Sequence, residues 1–390
     1  MPLSRWASRR TLAMPASMFN TMDRAKATAR DSGLELIDLS IGSSDLSPPR
    51  ASLRALREAT HDPSTYGYCL HDGTRPLRAA AADWLAGRFD IGIDPDEQVL
   101  SLIGSQEGFA NLLLAVTDPN DTILCPDPAY PSYYGAIALA GLKAHMLPLT
   151  EENGFLPDLS SVDPDATARS RVMVLSYPNN PTAAVANEAF FEEAVAFCRA
   201  HDILLVHDFP YVDMTFGGYR APSVLSVEGA FDVAVELYSC SKSFHMGGFR
   251  IGWAAGNADA VAALAQVKGC IDFNQYLGIQ RAAIAALKGE EEQDSFAPVF
   301  EARRDALIDA LTGIGWRAPV PRAGMYVWTR LPSGFDDSFD FCIRLTRSTG
   351  VCLAPGRAFG ATGEGFVRFA LVRPPEILQR AVERIRDFLD

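Results

Sequence analysis

Short apolar runs alternate with amphipathic stretches through the middle of the chain. The amphipathic stretches include EGFANLLLAV (107–116) and EAFFEEAVAFCRAHD (188–202), whose apolar residues have helical spacing. The apolar runs are QVLSLIG (98–104), TILCP (122–126), RVMVLSYP (171–178), ILLVHD (203–208), VAVELYS (233–239) and RIGWAAG (250–256). Apolar strands joined by helices predict a mostly parallel sheet with helices on both faces, an α/β fold.

The pattern changes after about residue 275. Helical spacing covers 275–289 and 296–313, followed by the strands GMYVWTRL (324–331) and GFVRFALV (365–372) and a C-terminal helix over 374–389. These elements predict a smaller α+β domain. We expect a large domain over 46–280, a small domain over 281–390, and an N-terminal segment, 1–45, that contributes to the small domain.

Length and composition fit two domains of ordinary size. The 390 residues are 48% hydrophobic and 21% charged, which provides large cores and argues against disorder. The formal net charge of -13 argues against nucleic acid or an anionic membrane as the main partner.

The cysteine pattern favours a cytoplasmic protein with reduced thiols. The seven cysteines form no CxxC pair and the six histidines do not cluster, so neither a disulfide framework nor a metal site is predicted. No run of 18 apolar residues indicates a transmembrane helix. The basic start, MPLSRWASRR, lacks the apolar segment of a signal peptide and is interpreted as an exposed extension.

Polar residues follow four of the predicted strands. Gly104-Ser105-Gln106 follows the first, YPNNPT follows the strand that begins at 171, and Asp208 and Ser239 end two others. In open α/β sheets ligands bind beyond the carboxyl ends of the strands. The four strand ends therefore predict one common site.

An anion site is one interpretation of the turn at Gly104. Backbone N–H groups at the start of a helix attract phosphate, and Ser239 and Arg250 are suitable further partners. The alternative is an ordinary strand-to-helix turn with Ser105 as the N-cap and Arg250 as a surface charge.

Asp208 and Lys242 are candidates for covalent cofactor chemistry. A buried carboxylate needs a partner, which is either a cap or ion pair or a cationic ring nitrogen. Lys242 lies among small residues in SCSKSFHMGGFRIGW (239–253), and it is either a solvated lysine or an amine that forms a Schiff base. A phosphate site, a ring-nitrogen acid and a reactive lysine together match pyridoxal phosphate (PLP).

The ordered motifs resemble those of fold-type I PLP enzymes, specifically class I/II aminotransferases of the aspartate or LL-diaminopimelate aminotransferase branch. The resemblance begins near residue 10 and covers nearly the whole chain. It rests on LIDLSIGSSD, YGYCLHDGTRPLR, GSQEG, PDPAYPSY, YPNNPT, HDFPY, SCSKSFHMGGFRIGW and VRFALV, in that order.

The resemblance assigns the catalytic roles. Lys242 is expected to hold PLP as a Schiff base and to move a proton between the substrate α-carbon and the cofactor C4′ atom. Asp208 is expected to pair with the pyridine nitrogen, and Tyr211 with Asn180 to hydrogen-bond the ring oxygen O3′. Arg368 matches the arginine that binds the substrate α-carboxylate.

The remaining roles concern the rest of the cofactor and the closing segment. Tyr130 is expected to stack on the cofactor, and Gly42 to lie in the N-terminal segment that closes over the substrate carboxylate. Tyr68 is expected to reach the phosphate of the neighbouring subunit, which implies a homodimer with shared sites. The expected phosphate ligands are Ser105, Gln106, Ser239 and Arg250.

The sequence departs from the family pattern at three places. Ala183 replaces the glycine of the usual NPTG, which bears on the backbone beside Asn180. The turn SQE carries Gln106 where many relatives have a small residue and a lysine, and Tyr130 stands where many have tryptophan or phenylalanine.

The resemblance implies ping-pong transamination between an L-amino acid and a 2-oxo acid in amino-acid biosynthesis. The alternatives are a PLP-dependent β-lyase, another elimination or decarboxylation enzyme, or a PLP-binding regulator without activity. Arg75, Arg322 and Arg357 are candidates for a distal substrate carboxylate, and the sequence does not place any of them in the pocket.

Overall fold

The computed structural model describes residues 5–14, 19–289 and 296–390. Parts of the expected N-terminal segment (1–4 and 15–18) and of the small domain (290–295) lie outside the described residues. The described helices are α1 (Arg9–Ala13), α2 (Phe19–Asp31), α3 (Arg50–Ala59), α4 (Arg75–Phe89), α5 (Ser105–Val116), α6 (Pro131–Ala140), α7 (Pro164–Arg169), α8 (Glu188–His201), α9 (Ala230–Val233), α10 (Cys240–Ser243), α11 (Ala258–Ile271), α12 (Leu277–Lys288), α13 (Ala297–Gly313), α14 (Ser338–Thr349) and α15 (Pro375–Leu389).

The described strands form three sheets. They are β1 (Ile37–Asp38), β2 (Val99–Leu102), β3 (Thr122–Asp127), β4 (Lys143–Pro148), β5 (Ser170–Leu175), β6 (Leu204–Asp208), β7 (Ala234–Ser239), β8 (Gly252–Gly256), β9 (Tyr326–Arg330), β10 (Val351–Cys352), β11 (Ala354–Pro355) and β12 (Phe366–Ala370). The largest sheet has the order β2-β8-β7-β6-β5-β3-β4.

The seven-stranded sheet is mostly parallel, as predicted. Strands β4, β3, β5, β6 and β7 are parallel to one another, whereas β8 is antiparallel to both of its neighbours, β7 and β2. Because β8 is reversed, its amino end lies at the edge where the parallel strands have their carboxyl ends. Arg250, two residues before β8, is thereby placed at that edge.

Alternating side chains divide the core into two layers. Met173 and Leu175 of β5 pack on one face of the sheet with Phe191 of α8, whereas Val172 and Val174 pack on the other face with α5 and α6. Helix α8 is capped at its start by Asn187, whose side chain accepts the Phe190 N–H, and at its end by Asp202 in the left-handed conformation.

A second core joins the two ends of the chain. Met22 and Leu39 pack with Phe300, Phe369 and Ile385. Strand β1 pairs in parallel with β10, and β12 lies between β11 and β9 in an antiparallel sheet.

Helix α12 packs with the larger core. It contacts α3 and α4, and Ala282, Ala283, Ala286 and Leu287 belong to the same cluster as β5 and β6. The change of sequence pattern near residue 275 therefore comes before the chain leaves this core. In the described part of the chain no helix has the length and apolarity needed to cross a membrane.

Candidate active site

A cavity of about 1050 Å³ lies at the carboxyl edge of the parallel strands. All sequence-predicted site residues except Tyr68 line this cavity. The four strand ends that the sequence singled out are therefore brought together, and residues of β12 and of the segment after β1 complete the wall.

The start of α5 and Arg250 form one end of the cavity. Gly104 is the N-cap of α5 with φ 85°, so the alternative interpretation with Ser105 as the N-cap is wrong in that detail: Ser105 is the first helical residue. A β-carbon at Gly104 would overlap the Arg250 guanidinium, which shows how closely that cation approaches the turn. Arg250 itself has φ 52° and donates through Nη1 to the Gly247 carbonyl (2.9 Å). Helical N–H groups and a guanidinium here provide donors and positive charge for an anion.

Ser239 and Gln106 lie beside this end. Ser239 is buried, caps α10 and accepts the Ser241 N–H at 3.2 Å. Gln106 is exposed to the cavity and accepts a hydrogen bond from the Tyr130 hydroxyl at 3.0 Å. The Tyr130 hydroxyl is thus tied to the turn that carries Gln106.

Asp208 is a buried carboxylate with one oxygen unsatisfied. It is 6% exposed, its Oδ2 accepts a hydrogen bond from the Tyr133 hydroxyl (2.7 Å), and its Oδ1 has no partner in the described structure. Burial raises the pKa of the Asp208 carboxyl, and the Tyr133 hydrogen bond opposes that shift. A cationic N–H donor in the cavity would satisfy Oδ1 and favour the ionised carboxylate.

Lys242 lies in α10, three residues after the end of β7. Its Nζ donates to the Gly42 carbonyl, in the segment that follows β1. The amine therefore reaches across the cavity from the large sheet to the N-terminal segment.

Arg368 is a buried guanidinium that faces the cavity from β12. It is 4% exposed, donates to Asn180 Oδ1 (2.6 Å) and to the Ser40 carbonyl (2.8 Å), and has no partner for Nε. The guanidinium carbon lies 4.0 Å from the ring centre of Tyr326 and 4.5 Å from that of Phe359. No carboxylate of the described residues pairs with Arg368, so a buried positive charge is available for an anion.

Three residues of the candidate site were missed by the sequence reasoning. Tyr133 lies one helical turn after Tyr130, a spacing that predicts a shared face of α6. Tyr326 contacts Tyr211 through the two hydroxyls (2.9 Å), and no sequence pattern indicates this pair because the residues are 115 positions apart.

His245 is the third such residue, and its chemistry is unusual. It lines the cavity at 6% exposure with φ 53°, and neither ring nitrogen has a partner among the described residues. Its ring packs edge-to-face on Phe296, with centroids 3.9 Å apart. Histidine is among the residues enriched at positive φ, which is the available sequence signal.

The other arginines considered from sequence lie elsewhere. Arg75 pairs with Asp96 and Arg357 with Glu364, while Arg322 lies over the ring of Tyr219. None of these three residues lines the cavity. Tyr68 is 84% exposed and its ring lies 5.1 Å from that of Phe273, outside the cavity of its own chain.

The chemistry of the cavity fits PLP. The unsatisfied Asp208 Oδ1 matches a protonated ring nitrogen, the Gly104 turn with Arg250 matches a phosphate, and the Lys242 amine matches an aldehyde. Fold and site together define a PLP-dependent enzyme of fold type I.

The comparisons with known proteins identify the family. The profile of the family "Aminotransferase class I and II" matches residues 35–385, so the chain belongs to that family. The chain is 43% identical to an LL-diaminopimelate aminotransferase of Syntrophobacter fumaroxidans over 374 residues, which cover 96% of each chain.

Two solved structures extend the comparison. A probable N-succinyldiaminopimelate aminotransferase from Thermus thermophilus has 49% identity and a TM-score of 0.90, with 95% of this chain and 99% of that chain covered. Substrate-bound BacF from Bacillus subtilis has 33% identity and a TM-score of 0.95, with 99% and 98% covered.

The protein is therefore a PLP-dependent aminotransferase that moves an amino group between an L-amino acid and a 2-oxo acid. This decides the choice between transamination and elimination that the sequence alone left open. PLP, when bound, acts as an electron sink for the α-carbon of the amino acid.

Proposed function

We propose that the enzyme transaminates an amino acid of the diaminopimelate type, with Arg368 binding the α-carboxylate. The buried guanidinium of Arg368, which lacks a carboxylate partner, supports the assignment of the α-carboxylate. The planar N–H donors of a guanidinium match a carboxylate in bidentate geometry. The hydrogen bonds from Arg368 to Asn180 and to the Ser40 carbonyl fix the orientation of this guanidinium.

The other predicted residues are assigned as follows. Lys242 would hold the cofactor in the resting enzyme, and its amine would then accept and return the proton of the substrate α-carbon. Asp208 would keep the ring nitrogen protonated, while Tyr211 and Asn180 would hydrogen-bond the ring oxygen O3′. Tyr130 would contact the ring, Ser105, Gln106, Ser239 and Arg250 would bind the phosphate, and Gly42 would lie in the segment that covers the substrate.

The substrate class is supported by the relatives and by the size of the cavity. Relatives at 39–43% identity are LL-diaminopimelate aminotransferases, and the Thermus thermophilus protein is a probable N-succinyldiaminopimelate aminotransferase. A cavity of about 1050 Å³ has room for a long amino acid beside the cofactor. Its lining includes polar side chains beyond those assigned above, among them Asp23, Ser43 and Ser44. A biosynthetic role in the cytoplasm, with reduced cysteines, accords with this substrate.

A panel of amino donors tests the substrate. With 2-oxoglutarate as acceptor, LL-diaminopimelate and its N-succinyl derivative are compared with aspartate, alanine and phenylalanine by the glutamate formed. We expect the highest kcat/KM within the diaminopimelate pair. If aspartate or phenylalanine reacts as well as either member, the proposed substrate class is wrong while transamination stands.

Substitution of Arg368 tests the carboxylate assignment. Arg368→Lys keeps the charge and loses the bidentate fork, so kcat/KM for the best amino acid should fall at least about 30-fold, the equivalent of ~2 kcal/mol. A primary amine without a carboxylate is the control, because its slow reaction should not decrease. Equal losses for the amine and the amino acid would contradict the assignment.

We further propose a homodimer in which Tyr68 reaches the phosphate in the neighbouring subunit. Exposed apolar side chains support this proposal: the Phe273 ring contacts that of Tyr68, and Leu70 and Ile271, each two positions from one of these residues, are also more than half exposed. Mixing Tyr68→Ala with Lys242→Ala chains would create hybrid dimers with one native site each. Activity of the mixture above that of either variant is expected, and a mixture no more active than its components would refute the sharing.

We also propose the domain division that the sequence pattern indicates. Residues 46–280 form the large domain, and 281–390 with the segment 1–45 form the small one. The boundary at 280/281 falls inside α12, whose buried face packs with the large sheet.

A further inference from the structure

We propose that Tyr326 is a positioning residue that couples the carboxylate site at Arg368 to the hydroxyl of Tyr211. The proposal deepens the function proposed above, because it rests on the assignment of Tyr211 to the cofactor oxygen O3′. Tyr326 belongs to β9 and Tyr211 to the loop after β6, so the contact links the three-stranded sheet to the carboxyl edge of the large sheet, and both tyrosines belong to the second core.

Two contacts place Tyr326 between the sites. Its ring lies under the Arg368 guanidinium, 4.0 Å from the guanidinium carbon, and its hydroxyl lies 2.9 Å from that of Tyr211. The two tyrosine rings meet edge-to-face with centroids 5.7 Å apart. A change of charge or position at Arg368 therefore alters the electrostatic environment of the Tyr326 ring, whose hydroxyl contacts that of Tyr211.

Gly42 prevents the Tyr326 ring from moving away. A β-carbon at Gly42 would overlap the Tyr326 hydroxyl and the adjacent ring carbons, so the backbone of the closing segment lies directly against this hydroxyl. Tyr326 is only 2% exposed. The hydroxyl is consequently confined between the Gly42 backbone and Tyr211.

The number of hydroxyl protons limits the hydrogen bonds that Tyr211 and Tyr326 can make. Each hydroxyl carries one proton, the two oxygens share a single contact, and neither has another hydrogen-bond partner in the described part of the chain. The hydroxyl that accepts in this contact keeps its own proton for a group in the cavity. Which hydroxyl accepts thus decides whether Tyr211 offers a proton to the cofactor.

Charge distinguishes the two members of the pair. Burial raises the pKa of Tyr211 far above its ordinary value, and the charge of Tyr326 adds to that shift. Burial acts on Tyr326 in the same direction, but Arg368, Lys242 and the contact with Tyr211 outweigh it and lower the pKa of Tyr326. Tyr130 also faces the pair and has a raised pKa, mainly through burial. When both hydroxyls are neutral, Tyr326 is the stronger acid and donates to Tyr211.

Carboxylate binding should act on this balance. An anion on Arg368 removes part of the positive field over the Tyr326 ring, so the phenolate of Tyr326 loses stabilisation and its pKa rises. Tyr326 then becomes a weaker donor to Tyr211, so the arrangement in which Tyr211 donates to Tyr326 is favoured and the Tyr211 proton is drawn away from the cavity. Binding of the substrate carboxylate would in this way change the hydrogen bond that Tyr211 offers.

The first test follows tyrosine ionisation in the full chain without PLP, by near-ultraviolet absorption. The wild type should show one tyrosine that titrates below the ordinary value of about 10. Tyr326→Phe should lose that titration, and glutarate should raise its midpoint in the wild type. The matched control is Tyr219→Phe, because the Tyr219 ring also lies near an arginine and its hydroxyl donates to the Ala186 carbonyl outside the cavity.

The second test uses the PLP-loaded enzyme. Tyr326→Phe keeps the ring on Arg368, so KM for the amino acid should change little while kcat falls. The pH at which the visible cofactor band changes should shift by about one unit, the size expected for one lost hydrogen bond to an ionising group. Tyr326→Leu removes the ring as well and should also raise KM.

The outcomes separate this proposal from the one it rests on. If Tyr326→Phe and Tyr219→Phe alter the PLP-free titration equally, or if glutarate has no effect, the coupling through Tyr326 is refuted. If the PLP-free titration behaves as expected but Tyr211→Phe leaves the visible band unchanged, the coupling stands and the assignment of Tyr211 to the cofactor is wrong.

Discussion

Acid should destabilise the folded protein through His245 in particular. Burial lowers the pKa of His245 to about 4. Asp45 opposes this shift, whereas Arg303 and Lys242 add to it. The aromatic rings of Phe296, which precedes α13, and of Phe300 in α13 pack on His245 and offer no acceptor for an imidazolium proton.

The size of the effect follows from proton linkage. In the unfolded chain the imidazole binds a proton below about pH 6.5, but in the folded chain only near pH 4. Stability is therefore retained above pH 6.5 and lost as the pH falls from 6.5 towards 4. Between pH 7 and pH 5 the loss from this single group is about 2 kcal/mol at most, since the cavity admits some water.

His245→Asn is the matched control. Asparagine also tolerates positive φ but does not ionise, so the backbone is kept and the linkage is removed. Urea unfolding of the PLP-free chain at pH 7 and pH 5, followed by tryptophan fluorescence, gives the loss of stability for each protein. The wild type should lose up to about 2 kcal/mol more than the variant between these pH values.

A direct titration can refute the reasoning. The imidazole carbon-bound protons of the six histidines can be followed by NMR, and the signal missing from His245→Asn identifies His245. That signal should not move between pH 7 and pH 5 while the protein is folded. A midpoint near the ordinary value would show that His245 has access to water or to an acceptor, and the pH-dependent stability would need another origin.

Three further predictions concern the cofactor site. Lys242→Ala should lose both turnover and the visible absorption of lysine-bound PLP, measured by kinetics and spectroscopy; retention of either would remove Lys242 from its proposed role. Asp208→Asn should reduce kcat about 100-fold or more, because a preorganised charge is lost. The PLP-free variant should unfold at an equal or higher urea concentration than the wild type, because a buried carboxylate with a raised pKa is removed. A large loss of stability would instead make Asp208 structural. Gly104→Ala should weaken PLP binding about tenfold, since the new β-carbon is strained at positive φ and displaces Arg250. Titration of the PLP-free protein with PLP measures this, and unchanged affinity would separate the turn from the phosphate.

Local patterns predicted the elements that carry Lys242 and Asp208, the residues proposed for catalysis. The strands β5, β6 and β7 are almost wholly buried, so they appear in the sequence as uninterrupted apolar runs that end in polar residues. Strand β4 was not predicted because it is a largely exposed edge strand that contains Lys143 and His145. The reversed direction of β8 could not be inferred either, because an apolar run has no direction.

The contacts between distant parts of the chain lay beyond sequence reasoning. The sequence proposed Asp208 and Arg368, but their partners Tyr133, Ser40 and Tyr326 are determined by packing between different elements. His245 could be seen only as a residue near Lys242. That both its nitrogens lack partners depends on the position of α13, which no local pattern specifies.

The two ends of the site depend on contacts of very different range. Lys242 and Arg250 are eight positions apart, and the turn between them belongs to one short connection from β7 to β8. The pair of Arg368 and Asn180 spans 188 positions and joins two sheets. Local opening of the C-terminal region would therefore release Arg368, the proposed carboxylate ligand, and leave Lys242 and Arg250 in place. A chain in that state would still bind the cofactor but would no longer bind the amino acid.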